Sequence, residues 1–95
     1  MLAHVVLFKF AKENRHLVPE LNEMLKKLKK DIPFIRELET GINEIESERA
    51  CDVYLRVMLD DLGALKKYAE HPDHLPVIAF VKKNCDFTKC VDYHC

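Results

Sequence analysis

Two histidines and a tyrosine are the side chains of this sequence best suited to acid-base chemistry. His4 lies within an apolar run, and Tyr68 and His74 bracket the turn at His71-Pro72. Histidine titrates near neutral pH and therefore suits the role of a general base. A tyrosine hydroxyl can hydrogen-bond a developing oxyanion. A cavity between a sheet and its helices would bring the three side chains together.

The same residues also have purely structural explanations. Pro72 fixes the backbone φ angle of a turn, and a flanking histidine can cap free backbone groups. A histidine among apolar strand residues is more often a hydrogen-bonded core residue than a catalyst. A hydrogen bond between His4 and His74 would be a sufficient structural reason for both.

Metal binding is a third interpretation of the polar residues. His71 and His74 are three residues apart with Asp73 between them, but no further ligand is evident beyond His4. Three of the four cysteines follow one another at intervals of five residues, with His94 beside the last: Cys85, Cys90 and Cys95. Structural zinc sites use closer cysteine pairs. We therefore expect reduced thiols, no metal site and no cofactor.

Hydrophobic periodicity divides the chain into strands and helices. Strands alternate in polarity or are rich in β-branched and aromatic residues, whereas helices repeat apolar residues every three or four positions. The predicted strands are Leu2–Phe10, Arg36–Ile45, Asp52–Leu59 and Asp86–Cys95. The predicted helices begin near Val18, after an N-cap at Asp60 or Asp61, and at Leu75. Gly41 indicates a bulge or a close backbone approach in the second strand.

Three local features refine these predictions. On the first strand, His4, Val6, Phe8 and Phe10 share one face, which should point toward the helices. The helix at Leu75–Lys82 is apolar nearly all round, which predicts burial on more than one side. In the last strand, Phe87, Val91 and Tyr93 are expected to pack inward or across an interface.

The order of elements is β-α-β-β-α-(α)-β, which predicts an α+β, ferredoxin-like sandwich in a single domain over residues 1–95. Helices can cover only one face of such a sheet. The other face still carries Ala3, Val5 and Leu7, together with one face of the third strand. Exposed apolar patches of this kind usually mark an interface, so we expect a homodimer through the sheet face.

Composition narrows the class of protein. The formal net charge is −1, with 15 basic and 16 acidic residues. Nucleic-acid-binding domains usually show a basic excess, so no nucleic-acid partner is expected. No apolar run approaches the roughly 18 residues of a membrane helix, and no secretory signal is recognisable. These features favour a cytoplasmic location without membrane attachment.

Four segments together resemble the stress-responsive A/B-barrel (Dabb) family. They are HVVLFKF (His4–Phe10), IPFIRELETGIN (Ile32–Asn43), YAEHPDHLPVIAFV (Tyr68–Val81) and VDY (Val91–Tyr93). The resemblance covers nearly the whole chain. It implies a dimeric α/β barrel in which two sheets face each other, and it implies much less about function.

One branch of this family catalyses polyketide cyclisation, and the resemblance places His4, Tyr68 and His74 at the matching positions. In that interpretation His74 is the general base, His4 orients it or donates to the substrate, and Tyr68 supports the oxygen. The aromatic pocket of that branch is largely unrecognisable here. Further residues predicted to contact a ligand are Val6, Phe8, Leu65 and His71.

Three functions from different classes remain open at this point. The first is a stress-related barrel domain that binds a small molecule without catalysis. The second is a cyclase or lyase acting on a ketide or another carbonyl compound. The third is a monooxygenase of the dimeric α/β-barrel type, which rests on general fold alone.

Overall fold

A computed structural model describes all 95 residues and contains four strands and three α-helices. The strands are β1 (Leu2–Phe10), β2 (Glu37–Ile42), β3 (Val53–Leu59) and β4 (Cys85–His94). The helices are α1 (Val18–Asp31), α2 (Leu62–Glu70) and α3 (Leu75–Asn84), with a short 3-10 helix at Lys12–Leu17. The strands form one antiparallel sheet in the order β2-β3-β1-β4. The predicted ferredoxin-like α+β architecture is confirmed.

The helices cover one face of the sheet, and the core lies between them and alternate strand residues. On β1 these residues are Val6, Phe8 and Phe10, as predicted. They pack with every second residue of β3 and with the apolar stripe of α1: Val53, Leu55, Val57, Leu59, Leu21, Leu25 and Leu28. This pattern follows from the two-residue repeat of a strand meeting the 3.6-residue repeat of a helix.

Two aspartates fix the ends of the elements that carry the site. Asp61 is the N-cap of α2, and its carboxylate accepts the Ala64 N–H at 2.8 Å. This bond satisfies one of the free donors in the first helical turn. Buried Asp52 accepts the Phe10 N–H at 2.8 Å and so holds the end of β1 against the chain entering β3.

The prediction for Gly41 is wrong. The pairing of β2 with β3 runs through Gly41 without a shift, and a Cβ placed there would meet no atom within 4 Å. The irregularity of the sheet lies instead between Lys9 and Phe10, in the pairing of β1 with β4. Within the chain, nothing approaches Gly41 closely enough to require a glycine.

The predicted burial of α3 on more than one side is also wrong within one chain. Only Val77 and Asn84 are buried, and Leu75 is 52% exposed. The helix packs against α1 and β4, and it spans a cavity into which Ile78 and Val81 project part of their surface. Three of its apolar residues, Val77, Ile78 and Val81, line this cavity. A sequence pattern cannot distinguish residues that line a cavity from residues that fill a packed core.

Candidate functional site

A cavity of about 270 Å³ lies between the helix-facing side of the sheet and helices α2 and α3. Five polar side chains line it: His4, Tyr68, His74, Lys82 and Thr88. The rest of the wall is apolar and comes from β1, β3, α1 and α3: Val6, Phe8, Leu25, Leu55, Val77, Ile78 and Val81. The three side chains singled out from the sequence thus line one cavity, together with Val6 and Phe8.

His4 is held in place by a carboxylate on the neighbouring strand. His4 and Asp92 are directly opposite each other in the pairing of β1 with β4. The His4 Nδ1–H donates a hydrogen bond to the Asp92 carboxylate. Because a carboxylate only accepts, this bond fixes the proton on Nδ1. In the neutral ring, Nε2 is then left as a hydrogen-bond acceptor.

Sequence reasoning did not include Asp92 in the site. Cross-strand pairs on one face of a sheet contact each other, but the pairing register of β4 with β1 was not available from one sequence. In the Val91–Tyr93 segment, which carries Asp92, the sequence predicts packing for Val91 and Tyr93 but no role for Asp92. A hydrogen bond between His4 and His74, the structural alternative, is absent; His4 bonds Asp92 instead.

Tyr68 lies between the two histidines at the buried end of the cavity. Its side chain is 1% exposed. Its ring centroid is 5.7 Å from that of His4 and 4.4 Å from that of His74. The Tyr68 hydroxyl is buried and has no hydrogen-bond partner in the protein. Burial raises the pKa of Tyr68 above its usual range, so the hydroxyl stays protonated and can donate.

His74 is half-buried at the start of α3, and the turn between α2 and α3 places it in the cavity wall. Its Nδ1 lies 3.3 Å from the Ala69 carbonyl oxygen, and the carbonyl can only accept, so Nδ1 is the donor. Burial lowers the pKa of His74, with smaller effects of nearby His4 and His71 in the same direction. The ring is therefore neutral near pH 7, and its Nε2 carries a free lone pair.

Two predicted contact residues lie outside the cavity wall. Leu65 lies in α2 and packs against the core. His71 points away, with its ring 6.1 Å from that of Phe34 and its Nδ1 accepting the Asp73 N–H at 3.1 Å. His71 therefore stabilises the turn. No group of three or more His, Cys, Asp or Glu side chains is arranged to hold a metal ion.

The polar residues at the other end of the cavity were not predicted. Lys82 is in the last turn of α3, and Thr88 is on β4 opposite Phe8. Both are exposed while also lining the cavity, so they lie at its mouth. The lysine belongs to a Lys82-Lys83 pair whose sequence pattern indicates only a solvated helix end.

The arrangement combines a neutral histidine, a protonated phenol and a second histidine oriented by a carboxylate. These groups are suited to hydrogen-bonding an oxygen of a ligand and to accepting a proton beside it. The mostly apolar wall lowers the polarity of the space around a bound ligand, which strengthens such interactions.

The sequence matches one protein-family model, and the structure resembles several solved structures. The model of the stress responsive A/B barrel domain matches residues 2–95. A dimeric ferredoxin-like protein of unknown function from Bacteroides fragilis is 28% identical, with a TM-score of 0.87, over 99% of this chain and 95% of that chain. A second dimeric ferredoxin-like protein of unknown function, from Jannaschia, is 27% identical, with a TM-score of 0.79, over 99% of this chain and 98% of that chain.

A structure of named activity shares the fold at low identity. The hydroxynitrile lyase of Passiflora edulis is 10% identical, with a TM-score of 0.82, over 97% of this chain and 90% of that chain. Comparison of the sequence with curated proteins gave no match. No helix of the structure is long and apolar enough to cross a membrane.

Proposed function

The chain belongs to the stress responsive A/B barrel domain family, and we propose that its cavity binds a small, largely apolar carbonyl compound. A volume of about 270 Å³ is near the lower end of ligand pockets. The mostly apolar wall with a few polar groups at its ends is typical of such pockets. This combination favours a compact ligand with one or two oxygens.

The unpartnered Tyr68 hydroxyl is the observation that carries this proposal. Buried polar groups in proteins are almost always hydrogen-bonded, and an exception calls for an explanation. The hydroxyl is buried and protonated. It belongs to a residue that lines the cavity and whose ring lies between two histidine rings. A ligand carbonyl oxygen would accept a hydrogen bond from this hydroxyl and remove the cost of leaving it unbonded.

The test is a pair of probes that differ by one oxygen. Acetophenone and ethylbenzene have similar shapes, but only acetophenone carries a carbonyl oxygen. Titration followed by NMR should shift resonances of cavity residues with both, and acetophenone should bind more tightly. Tyr68→Phe should abolish the difference between the two probes. Absence of shifts with either probe at millimolar concentration would contradict binding in this cavity.

Enolisation is the second candidate function, and the state of His74 favours it. Its Nδ1 is engaged by the Ala69 carbonyl, so the neutral ring offers Nε2 as a base. His74 would take a proton from the carbon beside the ligand carbonyl. The C–H electron pair then moves into the carbonyl, and Tyr68 hydrogen-bonds the resulting enolate oxygen. This step begins the cyclase or lyase chemistry expected from the sequence.

This candidate can be tested without knowing the substrate. In deuterated buffer, His74-assisted enolisation would exchange the methyl protons of acetophenone for deuterons. The wild-type protein should accelerate this exchange, and His74→Gln should lose the acceleration while still binding the ketone. Equal exchange with wild type and variant would remove His74 as the base and leave the binding proposal intact.

We also propose a homodimer through the uncovered sheet face. Four large side chains on this face are strongly exposed: Leu7 (38%), Phe87 (46%), Val91 (61%) and Tyr93 (46%). Contiguous exposed apolar side chains favour association. The relatives from Bacteroides fragilis and Jannaschia are described as dimeric. A cytoplasmic location stays a prediction from the sequence, and no feature of the cavity favours a monooxygenase.

A further inference from the structure

We infer that the cavity selects ligands that carry an anionic group, bound at its mouth by Lys82 and Thr88. The inference rests on the proposed binding function and specifies the chemical class of the ligand. A compact keto acid, with its carbonyl oxygen at Tyr68 and its carboxylate at Lys82, would satisfy both ends of the cavity.

Lys82 is a charged group of the cavity wall that has no partner. It forms no ion pair and no side-chain hydrogen bond. Six of the 15 Lys and Arg residues engage acidic or carbonyl groups, and Lys82 is one of the others. It is the one Lys or Arg residue that lines the cavity. An ammonium beside an apolar cavity attracts an anion more strongly than one surrounded by water.

The remaining polar groups of the cavity do not neutralise this charge. Tyr68 is protonated, and His74 is neutral near pH 7. The carboxylate of Asp92 accepts the Nδ1–H of His4. Asp92 itself is not part of the cavity wall. The cavity therefore presents a net positive charge at its mouth.

The polar groups lie at two ends of the cavity, so each end of the cavity would bind a different end of the ligand. Tyr68 is 1% exposed and marks the inner end, whereas Lys82 and Thr88 are exposed and mark the outer end. The Thr88 hydroxyl forms no hydrogen bond within the protein, so it is free to donate to the same anion. Between the ends the wall is apolar, including Val77, Ile78 and Val81.

The experiment uses the full chain and two ligands of nearly equal shape, 7-oxooctanoate and its uncharged analogue 7-oxooctanamide. Affinities are measured by NMR titration at low and high salt. Wild type should bind the acid more tightly than the amide, and salt should reduce this preference by screening. Lys82→Met should weaken acid binding about two- to fivefold, the range of an exposed ion pair, and leave amide binding unchanged.

Lys83→Met is the matched control. Lys83 is the neighbouring exposed lysine at the same helix end, but it does not line the cavity. The Lys83→Met substitution removes the same charge from the chain and from the helix end as Lys82→Met. Any effect of long-range electrostatics on acid binding would therefore appear in both variants. Acid binding should be unchanged in this variant.

Two kinds of failure are distinguishable. If acid and amide bind wild type equally, or if both lysine variants weaken the acid to the same extent, the anion site is refuted while the cavity remains a binding site. If neither ligand shifts resonances of cavity residues, the proposed binding function fails and the anion site fails with it.

Discussion

Replacing Tyr68 with phenylalanine should make the ligand-free protein more stable and should weaken the binding of a carbonyl ligand. The hydroxyl is buried and has no partner in the protein. An unsatisfied buried polar group costs about 1–3 kcal/mol, and phenylalanine keeps the ring packing against His4 and His74. We therefore expect Tyr68→Phe to raise the free energy of unfolding by about 1 kcal/mol. For a domain of this size that corresponds to an increase in Tm of about 4–8 °C.

The assay is thermal or urea unfolding at one fixed protein concentration, since dimerisation makes Tm depend on concentration. Ser47→Ala is the control, because Ser47 is exposed in the loop between β2 and β3 and the substitution also removes a hydroxyl. A change within about 0.5 kcal/mol is expected for that surface position. If Tyr68→Phe instead lowers the unfolding free energy by 1 kcal/mol or more (about the worth of a satisfied hydrogen bond), the hydroxyl has a partner in the free protein and the reasoning is refuted.

Three further predictions concern the groups around the site and the sheet face. Burial lowers the pKa of His74, so the unfolded chain binds a proton at this residue more readily than the folded chain, and stability should fall as pH drops below about 6.5. His74→Gln should flatten this dependence of Tm on pH. An unchanged slope in the variant would contradict the prediction. Asp92→Asn removes the charged partner of His4. The His4 Nδ1–H should then exchange rapidly with water and lose its NMR resonance, and urea unfolding should show a loss of about 1 kcal/mol. Persistence of that resonance would show that the Asp92 carboxylate is not needed to protect the His4 proton. Val91→Glu places a charge in the proposed interface and should give monomers by light scattering, while Cys90→Ser on the opposite face of β4 should not; a dimeric Val91→Glu protein would locate the interface elsewhere.

Much of the fold could be predicted because the polarity patterns have short repeats. The strand residues Val6, Phe8 and Phe10 were placed correctly on the helix-facing side, and Asp61 caps α2 as expected. Strand ends were less accurate: β2 begins at Glu37 and ends at Ile42, inside the predicted limits. Terminal residues of a strand depend on pairing with neighbours, which a single sequence does not reveal.

The site was predictable only in part, for the same reason. His4, Tyr68 and His74 have distinctive side chains, so their types identified them as candidates, and all three line the cavity. Asp92 depends on the register between β4 and β1, and Lys82 depends on how α3 lies over the sheet. Long-range geometry decides both positions, and local periodicity carries no information about it.

Both functions proposed for the cavity require a carbonyl compound to bind through the Tyr68 hydroxyl. Its most direct test is a crystal structure of the protein soaked with acetophenone. We predict density for the ketone among the apolar residues of the cavity, with its oxygen about 2.5–3.0 Å from the Tyr68 hydroxyl oxygen. A ketone bound with its oxygen away from Tyr68, or a cavity that stays without ketone at saturating concentration, would contradict the proposed binding.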